Sequence, residues 1–380
     1  MTEDILLNRE VQLDDILNGI AKSIQLDSSR RERMKSAYNS VNKWLDEDED
    51  FFKEHSSEVY LQGSVKIGTA IRPFNGDEFD LDTVLQVEIS SSSITPEKLY
   101  NELKRRLNEH DTYRQKVELK NRCIRLDYAG DFHMDILPSC SPNRESEEIN
   151  IPDREKSTFL ISNPRGYANW FLTKSQSYEY ILLEKAYAHE DLPEEEPVEF
   201  KDPLKRSVQL VKWFRNEYFK DNLDQRPSSI VLTTLYAKYY NGETSIFNSL
   251  KSATFKILSE IEAFKPGKIQ VTNPVNQGEN FGDKWEEDEN LYKHFVDFIK
   301  NFHETLISLE NSGNRINEGK ILKKAFGDTP VIEAYNSQSE FINQKRKNRS
   351  LHLDKKTGSI AAAVSSSTTP MKKNSFYGSE

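Results

Sequence analysis

The chain has 380 residues, 36% of them hydrophobic and 11% aromatic, which is length for two domains and enough apolar stock to exclude a wholly disordered polypeptide. A formal charge of −10 argues against a protein that coats duplex nucleic acid, where neutralising phosphates supplies most of the affinity. Cys123 and Cys140 are too few for a disulfide framework or a four-thiolate zinc site, and without a basic-then-apolar leader or an apolar run of about 18 residues the expectation is a soluble, cytoplasmic protein with no membrane contact.

Val11, Ile16, Leu17, Ile20 and Ile24 form a helical stripe over residues 11–24. A second helix follows Asp27, Ser28 and Ser29, any of which suits its N-cap, and runs through Met34, Tyr38, Val41 and Trp44. The period then changes: residues 58–62, 79–89, 117–119, 122–128 and 132–137 alternate as strands, the last two joined as a hairpin through Ala129, Gly130 and Asp131. From about residue 171 the helical period returns. Residues 189–200, with two prolines and six acids, read as a solvated loop. Asp202 and Pro203 open a helix whose stripe is Leu204, Val208, Val211 and Phe214, closing near Phe219. Further helices are predicted from Pro227, Ser228 and Ser229 to Tyr240, over 286–309 and over 315–326. Residues 343–380 carry eight Lys/Arg against two acids, hence +6, which leaves −16 on the remainder of the chain; their small, polar composition predicts a flexible tail. The predicted division is 1–160, a mixed sheet with N-terminal helices; 161–342, helical; and 343–380, tail.

Chemistry concentrates in residues 59–89. A strand runs into Gly63-Ser64 and a short helix begins at once, a turn in which glycine lets the backbone approach a phosphate and amides and a hydroxyl point outward. By itself this pair is also an ordinary strand-to-helix turn. Downstream, Phe79, Leu81, Leu85, Val87 and Ile89 share one strand face, and Asp80 and Asp82 fall on the other. Two carboxylates so spaced either converge on a divalent cation or simply face water. Their apolar neighbours suggest a central strand, where unpaired carboxylates are costly. Asp135 sits likewise among Phe132, Met134 and Ile136 on a strand that can neighbour the first. Three carboxylates on adjacent strands, with a Gly-Ser turn upstream, suit two-metal phosphoryl transfer.

Together GS (63–64), FDLD (79–82) and MDIL (134–137) resemble the polymerase-β-like nucleotidyltransferase pattern. LQGSVKIGTAIRP (61–73), LKRSVQLVKWFRNEYF (204–219), RPSSIVLTTLYAKYY (226–240), NPVNQGENFGDKW (273–285) and ILKKAFGD (321–328) resemble more narrowly the bacterial cGAS/DncV-like nucleotidyltransferases, which make cyclic oligonucleotide messengers in anti-phage signalling. The resemblance implies an α+β fold: a nucleotidyltransferase lobe with a mixed sheet, a C-terminal helical lobe, and the active site in the cleft between them. It implies that Gly63 and Ser64 cradle a triphosphate, that Asp80, Asp82 and Asp135 hold two Mg²⁺ ions (Mn²⁺ substituting), and that Lys212 and Ser229 contact the donor triphosphate. Lys205, seven residues before Lys212, either joins it on one helix face or is a solvated lysine, and one of Ser228 and Ser229 can instead cap its helix. Lys66 and Arg72 either reach phosphate or are surface charges. Animal relatives place a tyrosine where this chain has Ile230, so base stacking is expected from Tyr236, Tyr239 or Tyr167, and the NPVNQGEN segment is expected to be structural.

The expected activity is synthesis of a cyclic di- or trinucleotide from nucleoside triphosphates, ATP among them, with release of pyrophosphate and a downstream effector that binds the product. The alternatives are a linear product or a nucleotidylated RNA, protein or small molecule, and a non-catalytic binding module of the same fold. Retention of all three acids opposes the last, and the charge of −16 outside the tail opposes an RNA track. Many relatives work beside an E1/E2-like ligase acting on the C-terminus, and Phe376, Tyr377 and Gly378 followed by Glu380 suit such a partner.

Overall fold

A computed structural model describes residues 3–128, 130–142, 147–175 and 202–347, and three short strands beyond them. Two helices, α1 (Glu3–Ser23) and α2 (Ser28–Asp46), precede a short α3 (Phe51–Glu54) and the first strand. Of the three candidate caps of α2, Asp27 is the one used: its Oδ1 accepts from the Arg30 amide at 2.8 Å. A seven-stranded sheet follows, from β1 (Ser57–Leu61), β2 (Phe79–Glu88), β3 (Val117–Leu119), β4 (Ile124–Tyr128), β5 (Phe132–Ser141), β6 (Ile149–Asp153) and β7 (Thr158–Ser162). The order β1-β2-β5-β4-β3 contains one parallel pair among the described strands, β2 with β5; the other pairs are antiparallel, and β6 joins β5 to β7. The sheet is mixed, as expected.

Between β1 and β2 lies α4 (Gly63–Lys66). The parallel crossover from β2 to β5 runs through α5 (Pro96–Glu109) and α6 (Asp111–Arg114), two helices that the sequence periodicity does not predict. Thr95 caps α5, Pro96 fills its first turn, and Leu99, Tyr100, Leu103 and Leu107 bury its inner face against the sheet. Charged residues at most other positions dilute that stripe in sequence.

The second half is helical: α7 (Pro164–Ser175), α8 (Pro203–Tyr218), α9 (Ser229–Tyr239), α10 (Ile246–Phe264), a small hairpin of β8 (Thr272–Asn273) and β9 (Asn276–Asn280), then α11 (Lys284–Glu287), α12 (Glu289–Glu310), α13 (Arg315–Phe326) and α14 (Asp328–Lys347). Asp202 caps α8 through the Lys205 amide at 3.0 Å. Two large buried clusters result. One lies under the sheet, with Met34, Leu81, Leu85, Leu103 and Met134. The other fills the helical half, with Val208, Phe214, Leu235, Phe298 and Phe302, and it contains Leu13, Ile16, Leu17 and Ile20 of α1. Helix α1 thus precedes the sheet in sequence but packs in the other core. Helix α14 continues past residue 343 to Lys347, and beyond it β10 (His352–Asp354) pairs antiparallel with β11 (Ile360–Ala361) and β12 (Thr368–Pro370). The acidic loop 189–200, Ala129 of the hairpin turn, Phe376 to Gly378 and Glu380 lie outside the described residues. Among the described residues no helix is long and apolar enough to cross a membrane.

Candidate active site

Parallel register sets Asp82 of β2 opposite Asp135 of β5, and Asp80 opposite His133. On the far side of β5, Arg125 and Asp127 of β4 pair with the same two residues. Two polar rungs therefore cross three strands, Asp82–Asp135–Arg125 and Asp80–His133–Asp127, while Leu81, Leu126 and Met134 point into the core. Arg125 Nε donates to Asp135 Oδ1 at 2.7 Å and its Nη2 to Asp135 Oδ2 at 2.9 Å, with a longer contact to Asp80 Oδ1 at 3.3 Å. One guanidinium does not balance three carboxylates. Burial, then repulsion from Asp80 and Asp135, pushes the Asp82 carboxyl up to about 7. The Asp80 carboxyl is raised by the same causes, burial first and Asp135 next, against the pull of Arg125. An uncompensated cluster of oxygen ligands is what a hard divalent cation relieves, so these residues fit such an ion. Among the described residues the group whose ligand atoms all lie within 4.8 Å of one another is Glu78, Asp127 and His133, beside the three aspartates rather than among them.

The Gly63-Ser64 turn lies directly against this ladder. Gly63 has φ +65°, and a Cβ there would collide with the Asp82 carboxylate and stand 3.1 Å from Asp82 Cβ. Glycine is required here by conformation and by space. The Gln62 amide donates to Asp82 O at 2.9 Å and the Thr69 amide to Ser64 O at 2.9 Å, fixing the turn beside β2.

Cations arrive from the helical half. Lys212 of α8 donates from Nζ to Thr69 O at 3.0 Å; burial, then Arg215, pushes its ammonium down to about 7, with Asp82 pulling the other way. Arg215, three residues on, donates from Nη1 to Ser229 Oγ at 2.8 Å and to Pro227 O at 3.1 Å, and burial lowers its guanidinium to about 9. Ser228 occupies the N-cap position of α9, which leaves Ser229 free of that duty. These groups line one cleft of about 770 Å³ between the halves together with Gly63, Ser64, Asp80 and Asp82, whereas Asp135 stands behind Asp82, held by Arg125, and does not line it.

Not every expected residue reaches it. Lys205 is fully buried, its Nζ 3.6 Å from Asp202 Oδ2 and packed under Gly68, and it lines no part of the cleft. Arg72 does line it, and also lies 3.4 Å from Glu333 Oε2; Lys66 does not line it. Of the three tyrosines, Tyr167 faces the cleft with its hydroxyl against Thr234 Oγ1 at 2.9 Å. Tyr236 is buried with its hydroxyl on Thr254, and Tyr239 bonds Glu260. Ile230 lines the cleft, as do Asn273 and Glu279 of the β8–β9 hairpin and Phe281 just after it, so the segment expected to be structural contributes to the cleft wall. The reading from sequence missed Arg125, Arg215, Glu279 and Phe281. Arg125 was findable, because it alternates between inward Ile124 and Leu126 on the strand beside the Asp135 strand.

A family model described as the Second Messenger Oligonucleotide or Dinucleotide Synthetase domain matches residues 12–174. Over 376 residues, 98% of this chain and 99% of the relative, the chain is 39% identical to the c-di-GMP synthase of Roseivirga ehrenbergii. It is 26% identical over 299 residues to the cyclic dinucleotide synthase CdnG of Bradyrhizobium diazoefficiens, covering 73% of this chain and 71% of that one. In fold it is similar to the solved structure of B. diazoefficiens CdnG in complex with GTP, with a TM-score of 0.70, 22% identity, and 86% and 99% of the two chains covered.

Proposed function

The chain belongs to the cGAS/DncV-like nucleotidyltransferases and is an enzyme of that class, a synthase of cyclic oligonucleotides, and from that premise we propose that it joins two molecules of GTP into cyclic di-GMP. The observation that carries the chemistry is the convergence of Asp80, Asp82, Gly63, Ser64, Lys212 and Ser229 on one cleft, with Asp135 in register beside Asp82. The guanine assignment is supported by the likeness, over nearly the whole chain, to a c-di-GMP synthase.

A ribose hydroxyl of the acceptor attacks the α-phosphorus of the donor in line, the new P–O bond forms as the bond to pyrophosphate breaks, and a second round closes the ring. Asp80, Asp82 and Asp135 would hold divalent cations, Mg²⁺ with Mn²⁺ substituting, which supply charge neutralisation at the reacting phosphate. The Gly63-Ser64 turn presents backbone and hydroxyl to the triphosphate. Lys212 and Arg215 face its negative charge from the opposite wall, and Ser229, held by Arg215, offers a hydroxyl. Arg125 positions Asp135 through its two-pronged contact. A place in anti-phage signalling follows from the family resemblance.

The test is product analysis by mass after incubation with all four nucleoside triphosphates and Mg²⁺ or Mn²⁺. Cyclic di-GMP with pyrophosphate is expected. A linear product, or a ring without guanine, would overturn the reading.

A further inference from the structure

Resting on synthesis from GTP, we infer that Glu279 is the residue that reads the guanine base, by accepting hydrogen bonds from its Watson–Crick edge. The β8–β9 hairpin brings Glu279 to the cleft wall with Tyr167 and Phe281. The Tyr167 ring meets Phe281 edge-on at 5.9 Å, so two aromatic side chains stand on the same wall as Glu279. Burial raises the Tyr167 phenol, and the Glu279 carboxylate is close enough to add to that rise.

The carboxylate is fixed on one side. Asn273 Nδ2 donates to Glu279 Oε2 at 2.8 Å, and Asn273, 3% exposed, is itself held by the Val275 amide at 3.1 Å. Among the described residues no other side-chain hydrogen bond engages the Glu279 carboxylate, which lines the cleft, so Oε1 is left to accept from a ligand. A carboxylate only accepts. Guanine alone among the four bases offers two adjacent donors, N1–H and the N2 amino group. Adenine and cytosine set a ring-nitrogen lone pair beside their single amino donor, and uracil flanks its one N–H with two carbonyl oxygens. The same acceptor therefore attracts guanine and meets a lone pair on every other base.

The test measures binding of GTP, ITP and ATP by calorimetry with divalent cations chelated, for the wild type and for Glu279→Gln. ITP is GTP without the 2-amino group. The wild type is expected to prefer GTP over both by about 10- to 100-fold, the discrimination typical of a paired base contact. Glu279→Gln, of the same shape, is expected to bind GTP and ITP nearly alike. Retention of the wild-type GTP to ITP ratio by this variant would overturn the inference. So would equal affinity of the wild-type protein for GTP and ITP, an outcome independent of how the variant folds. Product analysis of the wild type runs beside it: guanine-selective binding without cyclic di-GMP would sink the synthase reading and leave the base reading intact.

Discussion

Asp82 carries the cost of assembling three acids on two strands. Its carboxyl rises to about 7, so between the ordinary carboxylate range and pH 7 the folded protein binds a proton that the unfolded chain has released. Stability is therefore greatest at the acid end of that window and falls as pH climbs through it. With divalent cations chelated, the wild-type melting temperature should drop between pH 5 and 7 more steeply than that of Asp82→Asn, and parallel curves would refute the assignment. The same repulsion makes a second expectation. Asp80→Ala, Asp82→Ala and Asp135→Ala should each abolish product while the metal-free protein unfolds no earlier than wild type, as read by thermal denaturation. Lys212→Ala removes one charge-assisted contact and should weaken nucleotide binding by about 1.5–3 kcal/mol, with Ser229→Ala milder; an unchanged affinity in titration would remove Lys212 from the site. Lys205 shows where residue-level reading fails. Spacing of seven does align it with Lys212, but two turns separate them by about 10 Å along the axis, and α8 is buried almost all round, so a shared face does not mean a shared cavity.

Strands and turns were more legible than their pairings. Strict alternation exposed β2 and β5 and put their acids on one face, because a half-polar strand in a sheet has no other way to hide its apolar half. That β2 and β5 lie side by side in parallel is a long-range fact, made by the α5 crossover, and nothing local to either strand announces it. The β8–β9 hairpin reads as scaffolding from sequence, since two short strands of polar residues carry no periodic signal. The Gly63 turn gives this scale its own test. Gly63→Ala must take up a left-handed φ and push a methyl into Asp82, which should cost about 1 kcal/mol or more in stability and remove activity by displacing the Asp82 carboxylate. Full activity in Gly63→Ala, measured as cyclic product per minute, would show that the turn does not abut the reacting groups. Asp202→Ala, which strips the cap from α8, should lower stability by about 1 kcal/mol in denaturant titration.

Over the whole molecule the charge outside the last 38 residues is −16, since those residues hold +6 of a net −10. Duplex DNA should therefore leave the rate of synthesis unchanged at physiological salt, where phosphate contacts are what bind a duplex; a several-fold stimulation would contradict this. Geometry adds a further constraint through α1. Arg9 donates from Nη2 to Leu309 O at 2.7 Å, Asp14 Oδ1 accepts from the Phe247 amide at 2.8 Å, and a Cβ on Gly19 would stand 3.0 Å from Ala334 Cβ. Helix α1 is thus held in place by residues some 300 positions further along the chain. Its apolar stripe shares one core with α8, which bears Lys212 and Arg215, and with α10. A chain cut between β7 and α8 would hold the sheet and its acids without the wall that bears Lys212 and Arg215. Such a fragment of this enzyme would be silent rather than unregulated.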